Sequence, residues 1–185
     1  MRIISGVLKG KSVNFLKNSI TRPLKYSVKE NIFNVLKHSK LINTDIENAD
    51  VLDLYSGVGS FGLECISRGA KKVLFVEQDK MALKTLKENL LKLSVENKAS
   101  VINNSVDNIF ENKEINKFNF FFFDPPFNNN GYIKILNQIK KNKMYKPKNI
   151  VIIHRERKTI DNFNGTIDVL LTKQYGRSKI IFGVF

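Results

Sequence analysis

The segment Phe118-Asn119-Phe120-Phe121-Phe122-Phe123 is apolar at all but one position and runs straight into Asp124-Pro125-Pro126-Phe127. A run without polar alternation predicts a strand covered on both faces, in the middle of a parallel sheet. Open α/β sheets bind their ligands just beyond the carboxyl ends of such strands. There the chain delivers a carboxylate, two proline carbonyls with no accompanying N–H, and an aromatic ring. Together these groups suit an exocyclic amine. Asp124 and a proline carbonyl accept its two N–H bonds, and Phe127 stacks on the ring that carries it. The plainer reading is a strand end, a Pro-Pro turn and a core phenylalanine.

Val51-Leu52-Asp53-Leu54-Tyr55 predicts a second buried strand, feeding Ser56-Gly57-Val58-Gly59-Ser60-Phe61-Gly62. Leu63, Cys65 and Ile66 then give a short apolar helix face ending near Gly69. The glycines fit G-x-G-x-x-G at a strand-to-helix turn, where small residues let a ligand approach the backbone and a helix N-terminus. Alone, that fingerprint is weak. Here a further strand, Lys72-Val73-Leu74-Phe75-Val76-Glu77, ends in an acid 20 residues after Gly57. An acid so placed binds ribose hydroxyls in nucleoside-binding sheets.

A dinucleotide would account for the glycines and Glu77, but not for Asp53 or for Asp124-Pro125-Pro126-Phe127. Asp53, four residues before Gly57, suits a ligand with a cationic amino-acid end, because a carboxylate attracts an ammonium or sulfonium. Alternatively it fixes the glycine loop by accepting its N–H bonds. S-adenosylmethionine accounts for the whole pattern, and NAD for half of it.

These motifs resemble those of class I S-adenosylmethionine-dependent methyltransferases, in particular the bacterial RsmD-type guanine-N2 methyltransferases of small-subunit ribosomal RNA. The resemblance covers nearly the whole chain. It includes Met1-Arg2-Ile3-Ile4-Ser5-Gly6, Lys9-Gly10-Lys11, Thr21-Arg22-Pro23, the Val28–Leu36 segment, the Asp53 glycine turn, Asp124-Pro125-Pro126-Phe127 and Tyr175-Gly176-Arg177-Ser178. It implies a doubly wound, mostly parallel seven-stranded sheet with a C-terminal antiparallel hairpin and an N-terminal β-hairpin plus helix. It also implies cofactor contacts from Asp53, Ser56, Gly57 and Gly59, from Glu77 and Gln78 at the ribose, from Ser105 and Val106 at the adenine, and from Arg22. Asp124, Pro125, Pro126 and Phe127 take the catalytic place. RNA contacts fall to Arg2, Lys9, Lys11, Arg22, Lys25, Arg155 and Arg157. The chain departs from the family at Ser105, where Asp or Asn is usual, at Leu24-Lys25-Tyr26-Ser27, and at His154, where an acid is common.

The length, 185 residues, suits a single methyltransferase domain, with residues 1–45 as an RNA- and cofactor-contacting extension and 46–185 as the catalytic core. There is no membrane-length apolar run or signal segment, and Cys65, His38 and His154 offer no metal-ligand spacing. A cytoplasmic, metal-free monomer is expected. The net charge of +14 divides into +5 over residues 1–50, +1 over 51–139 and +8 over 140–185. Basic flanks around a balanced centre fit an RNA footprint.

Along the chain, residues 1–16 predict a β-hairpin around Gly6 and Gly10. Ser27 with Glu30 predicts a capping box for a helix through Val28, Ile32, Val35 and Leu36. Strands and helices then alternate, with helices at 80–93 and about 132–142 and a fifth strand at Asn149–Ile153. Leu83, Leu86, Leu90 and Leu93 are core, and Arg155, Arg157 and Lys158 fall on the rim beyond the fifth strand. The residues point to direct methyl transfer to an exocyclic amine, and the resemblance implies that this is the N2 amine of a guanine in 16S ribosomal RNA, guanine 966. The same amine-holding motif serves N6-adenine methyltransferases of DNA or RNA and glutamine-N5 methyltransferases. A catalytically idle RNA-binding protein on the same scaffold and an NAD oxidoreductase are the rivals from other classes.

Overall fold

The computed structural model describes residues 1–16, 24–111, 117–126 and 130–185. Helix α1 (Tyr26–His38) precedes the alternating series β1 (Asp50–Leu54), α2 (Ser60–Ser67), β2 (Lys72–Glu77), α3 (Lys80–Leu93) and β3 (Ala99–Asn103). A 3-10 turn at Val106–Glu111 leads to β4 (Phe118–Phe123), α4 (Tyr132–Lys141) and β5 (Tyr145–Glu156), followed by β6 (Asp168–Tyr175) and β7 (Ser178–Val184). The seven strands lie in the order β3-β2-β1-β4-β5-β7-β6. β1 to β5 run parallel, and β7 is antiparallel to both β5 and β6. From β1 the chain winds outward to β3, then crosses back to β4 on the other side of β1. That reversal leaves a crevice between the carboxyl ends of β1 and β4, the switch point where open sheets take ligands.

The phenylalanine run fixes the centre of the sheet. Phe120 and Phe122 face α1, α2 and α3, while Phe121 and Phe123 face α4, so both sides of β4 are covered. Phe33, Phe61 and Phe122 stack in sequence at 5.3 and 4.1 Å. Burial of each phenylalanine contributes about 1.5–3 kcal/mol, enough for this strand to anchor both layers. Its one polar residue, Asn119, lies near the strand start and bridges the neighbouring strands. It accepts from Asp50 N–H at 3.1 Å and donates to the Lys148 carbonyl at 3.2 Å.

Helix α3 spans the predicted 80–93, capped by Asp79, whose carboxylate accepts from Ala82 N–H at 2.7 Å. Leu83, Leu86, Leu90 and Leu93 are buried as expected. Two expectations need correction. No capping box forms at Ser27, because α1 already begins at Tyr26, with Lys25 in the cap position and no side-chain cap. The N-terminal hairpin is present but short: Arg2 bridges Ser12, Ile3 N–H donates to the Lys11 carbonyl and Val13 N–H to the Met1 carbonyl, while the turn between them docks on α2. The other correction concerns the fifth strand, which extends to Glu156 because β7 pairs along it, His154 with Ile180 and Arg155 with Lys179.

Docking of the amino terminus is itself specific. Glu64 of α2 is fully buried and accepts from the N–H groups of Ile4 and Ser5, from Arg68 and from Lys29. Burial lowers the Lys29 ammonium pKa, against the pull of Glu64. Gly6, at φ +85°, lies so close to Ser67 that a Cβ there would stand 1.8 Å from the Ser67 carbonyl oxygen.

Candidate active site

Strand register decides which side chains share the rim. Leu54, Val76, Phe123 and Ile153 form one row across β1, β2, β4 and β5. The next residues along, Tyr55, Glu77, Asp124 and His154, therefore stand together at the carboxyl ends on either side of the switch point. Tyr55 makes the exit from β1 at φ 61°, a strained conformation for a bulky residue and a frequent mark of a functional turn. Burial, with the nearby Asp107 charge, pushes its hydroxyl up to about 12.

The glycine turn is held from below by two acids. Glu77 accepts from Gly57 N–H at 2.7 Å with one oxygen and from Asp79 N–H at 2.8 Å with the other, tying the turn to the start of α3. Asp53 accepts from Gly62 N–H at 2.9 Å through Oδ2. Gly62 has to lack a side chain, since a Cβ would come within 2.3 Å of the Phe75 ring. Gly57, at φ +55°, has open space where its side chain would be. Asp53 is buried, and its Oδ1 has no hydrogen-bond partner among the described residues. An unmet buried acceptor costs about 1–3 kcal/mol. Burial, reinforced by the Asp124 and Glu77 charges and only partly offset by Gly62 N–H, pushes this carboxyl up to about 8. A cationic group placed at Oδ1 would relieve both penalties.

Across the crevice, Asp124 Oδ1 lies 2.8 Å from His154 Nδ1, and His154 Nε2 lies 2.9 Å from Ser178 Oγ on β7. The Pro126 carbonyl accepts from Arg155 Nη1 at 3.2 Å, and Asn130 Oδ1 accepts from Arg155 Nη2 at 2.9 Å. Arg155 thus grips both ends of the segment that follows β4. Its Nε donates to Asp161 at 3.0 Å and its guanidinium lies over the Tyr132 ring at 4.8 Å. Asp161 also accepts from Tyr132 hydroxyl at 2.6 Å and pairs with Lys179 at 2.8 Å. Burial works to raise the Asp161 carboxyl, but hydrogen bonds from Lys179 and Tyr132 and the Arg155 charge hold it below the usual range.

Arg155 is therefore corrected as an RNA contact: it is fully buried inside β5, and its guanidinium serves the loop after β4. Arg157 and Lys158 are exposed, as are Arg2, Lys11 and Lys25. Lys9 is exposed too, but its turn docks on Ser67 at the far end of α2, a helix length of about 10 Å from the rim. After β3, Ser105 Oγ and Asp107 share a hydrogen bond of 3.2 Å and Val106 is buried. Ser56 bonds through Oγ to the Val76 carbonyl, Gly59 caps α2, and Gln78 is exposed. Arg22 and Phe127 lie outside the described residues. Sequence reasoning missed the roles of His154, Ser178 and Asp161, although the departure at His154 marked the place. Among the described residues no cluster of His, Cys, Asp and Glu could hold a metal ion, and no helix is long and apolar enough to cross a membrane.

Comparison with known proteins identifies the family. The family described as conserved hypothetical protein 95 matches residues 1–184. Over 160 residues the chain is 36% identical to a Haemophilus influenzae protein named ribosomal RNA small subunit methyltransferase D, covering 85% of this chain and 79% of that one. The chain belongs to the RsmD-type methyltransferase family. A solved Haemophilus influenzae structure, described as a methylase, superposes with a TM-score of 0.79 at 29% identity, over 99% of this chain and 97% of that one. An Escherichia coli structure described as a methyltransferase gives a TM-score of 0.83 at 24% identity over 100% and 97%, a likeness of fold. The sheet is that of class I methyltransferases.

Proposed function

We propose that this chain transfers a methyl group from S-adenosylmethionine to the exocyclic N2 amine of a guanine in 16S ribosomal RNA, guanine 966 by resemblance, in the cytoplasm. The observation that carries the reading is the pairing across one switch point of a buried, unpartnered carboxylate oxygen on β1 with the Asp124 carboxylate after β4. The residues present fit the donor. Asp53 Oδ1 suits its ammonium group, the open side of Gly57 leaves room beside the turn, and Glu77 retains lone pairs for ribose hydroxyls. Ser56, Gly59, Gln78, Ser105 and Val106 line the same half, with Arg22 assigned there too. When bound, S-adenosylmethionine supplies an electrophilic methyl group on a sulfonium.

The chain's own residues do the rest. Asp124 accepts one N–H of the amine, aligns its nitrogen and takes up the proton it releases. The Pro126 carbonyl is committed to Arg155, which leaves the Pro125 carbonyl for the second N–H. Phe127 stacks on the base once it has left its RNA stack. Arg2, Lys11, Arg22, Lys25 and Arg157 bind phosphates, with residues 1–45 acting as an extension to the core at 46–185. Asp124→Ala should leave binding of S-adenosylmethionine within about twofold while methyl transfer falls by about a hundredfold or more. Near-normal single-turnover rates in that variant would refute the assignment. Mass mapping of ribosomal RNA nucleosides with and without the gene identifies the target, and loss of an N6-methyladenine would move the reading to adenine.

A further inference from the structure

We infer that His154 and Ser178 are positioning residues that hold the Asp124 carboxylate with Oδ1 turned away and Oδ2 facing the acceptor amine. The inference rests on the amine-holding role proposed above for Asp124. A carboxylate at the end of a strand rotates readily about its last bond and can offer either oxygen. Here that rotation is arrested by His154 Nδ1 at 2.8 Å from Oδ1. The imidazole is itself fixed: it lies in the β5 ladder opposite Ile180, and its Nε2 reaches diagonally to Ser178 Oγ at 2.9 Å. His154 is buried, whereas the Asp124 side chain keeps a fifth of its surface exposed. Of the His154–Asp124 pair, the carboxylate is the more exposed member.

Hydrogen-bond chemistry sets the tautomer. An ionised carboxylate only accepts, so Nδ1 carries the hydrogen. In the neutral ring Nε2 is then an acceptor, and the Ser178 hydroxyl is the donor that keeps it so. The order Asp–His–Ser has the membership of a hydrolase triad but the opposite direction. Ser178 stands behind the imidazole within the β5–β7 ladder, and the group at the crevice is the acid. Asp53 and Glu77 face the same rim from β1 and β2, so the Asp124 carboxylate is one of three acids at this crevice. Sequence spacing gives no sign of this chain, since its members come from three separate segments.

The test compares His154→Ala, His154→Asn, His154→Gln and Ser178→Ala in the full chain, with 15N NMR of the wild-type imidazole. An Asn amide nitrogen takes the place of Nδ1, whereas a Gln amide reaches toward the Nε2 position. His154→Ala should lower kcat about tenfold to a hundredfold, with the Kd for S-adenosylmethionine and the KM for RNA within about twofold. His154→Asn should recover to within a few-fold of wild type, and His154→Gln should not. Ser178→Ala should lower kcat by a few-fold and shift the tautomer, which in the wild type is Nδ1–H. A wild-type kcat in His154→Ala, equal rates in the Asn and Gln variants, or an Nε2–H tautomer overturns the inference. Should His154→Ala fail to fold, the Asn and Gln pair carries the kinetic arm. No methyl transfer by the wild type would instead sink the amine reading, and the tautomer would still test the positioning bond.

Discussion

Asp53 joins two demands that conflict until a cation arrives. Its Oδ2 pins the glycine turn through Gly62, and its Oδ1 has no donor among the described residues. Because its folded value of about 8 lies above the ordinary 3.8, the folded chain keeps a proton that the unfolded chain releases between those values. The stability this group contributes is complete below about pH 4 and lost as pH rises through about 8. Ligand-free protein should therefore show, relative to Asp53→Asn, a loss of up to about 1.4 kcal/mol per pH unit across that window. Denaturant unfolding of the two proteins at pH 5 and pH 8 measures it; parallel curves would remove Asp53 as the cause. Binding of S-adenosylmethionine near pH 7 should release a proton from Asp53, read as a calorimetric heat that depends on buffer ionisation and is lost in Asp53→Asn. At this scale Asp53, Gly57, Glu77 and Asp124 were legible as candidates because each sits within, at or just past the carboxyl end of an apolar run that reads as a strand. His154 and Ser178 escaped it because their partnership depends on which strand pairs with β5 and in which register.

Elements were legible where periodicity and caps agreed. Helix α3 carries Asp79 before its leucine stripe, and its bounds follow from that. β5 was cut short in the sequence reading because Arg155 looks like a surface residue when its partners are unknown. Those partners lie on a later segment, where Asp161 and Lys179 complete a buried network with Tyr132. Arg155→Met removes one cation and its donors from Asp161, which keeps Lys179 and Tyr132, so the change should cost about 1–3 kcal/mol. The loss should appear in the denaturation midpoint. Methyl transfer should fall further than the folded fraction explains, because both ends of the segment after β4 lose their clasp. Gly62→Ala should cost about 1–3 kcal/mol, since Phe75 must move to admit the new methyl group.

For the molecule as a whole, the basic flanks predict binding to RNA that weakens steeply with salt. Arg157 stands just past the β5 end of the rim, whereas Lys9 lies a helix length away. Arg157→Glu should lower the slope of log K against log salt by about one, while Lys9→Glu should change it little. Filter binding from 50 to 300 mM salt, on the order of the range where such slopes are read, separates the two. Net charge was readable from composition; its distribution around the rim was not, because that depends on where the amino-terminal turn docks.

Chain order and spatial order part company at β7. It is made after β6 but lies between β6 and β5, so residues 178–184 are the wedge that joins the sheet's last two strands. Until they have left the ribosome, β5 and β6 each show a bare edge and the imidazole on β5 has no hydroxyl to meet. The closing of the sheet and the fixing of that imidazole therefore arrive in one step, with the insertion of β7.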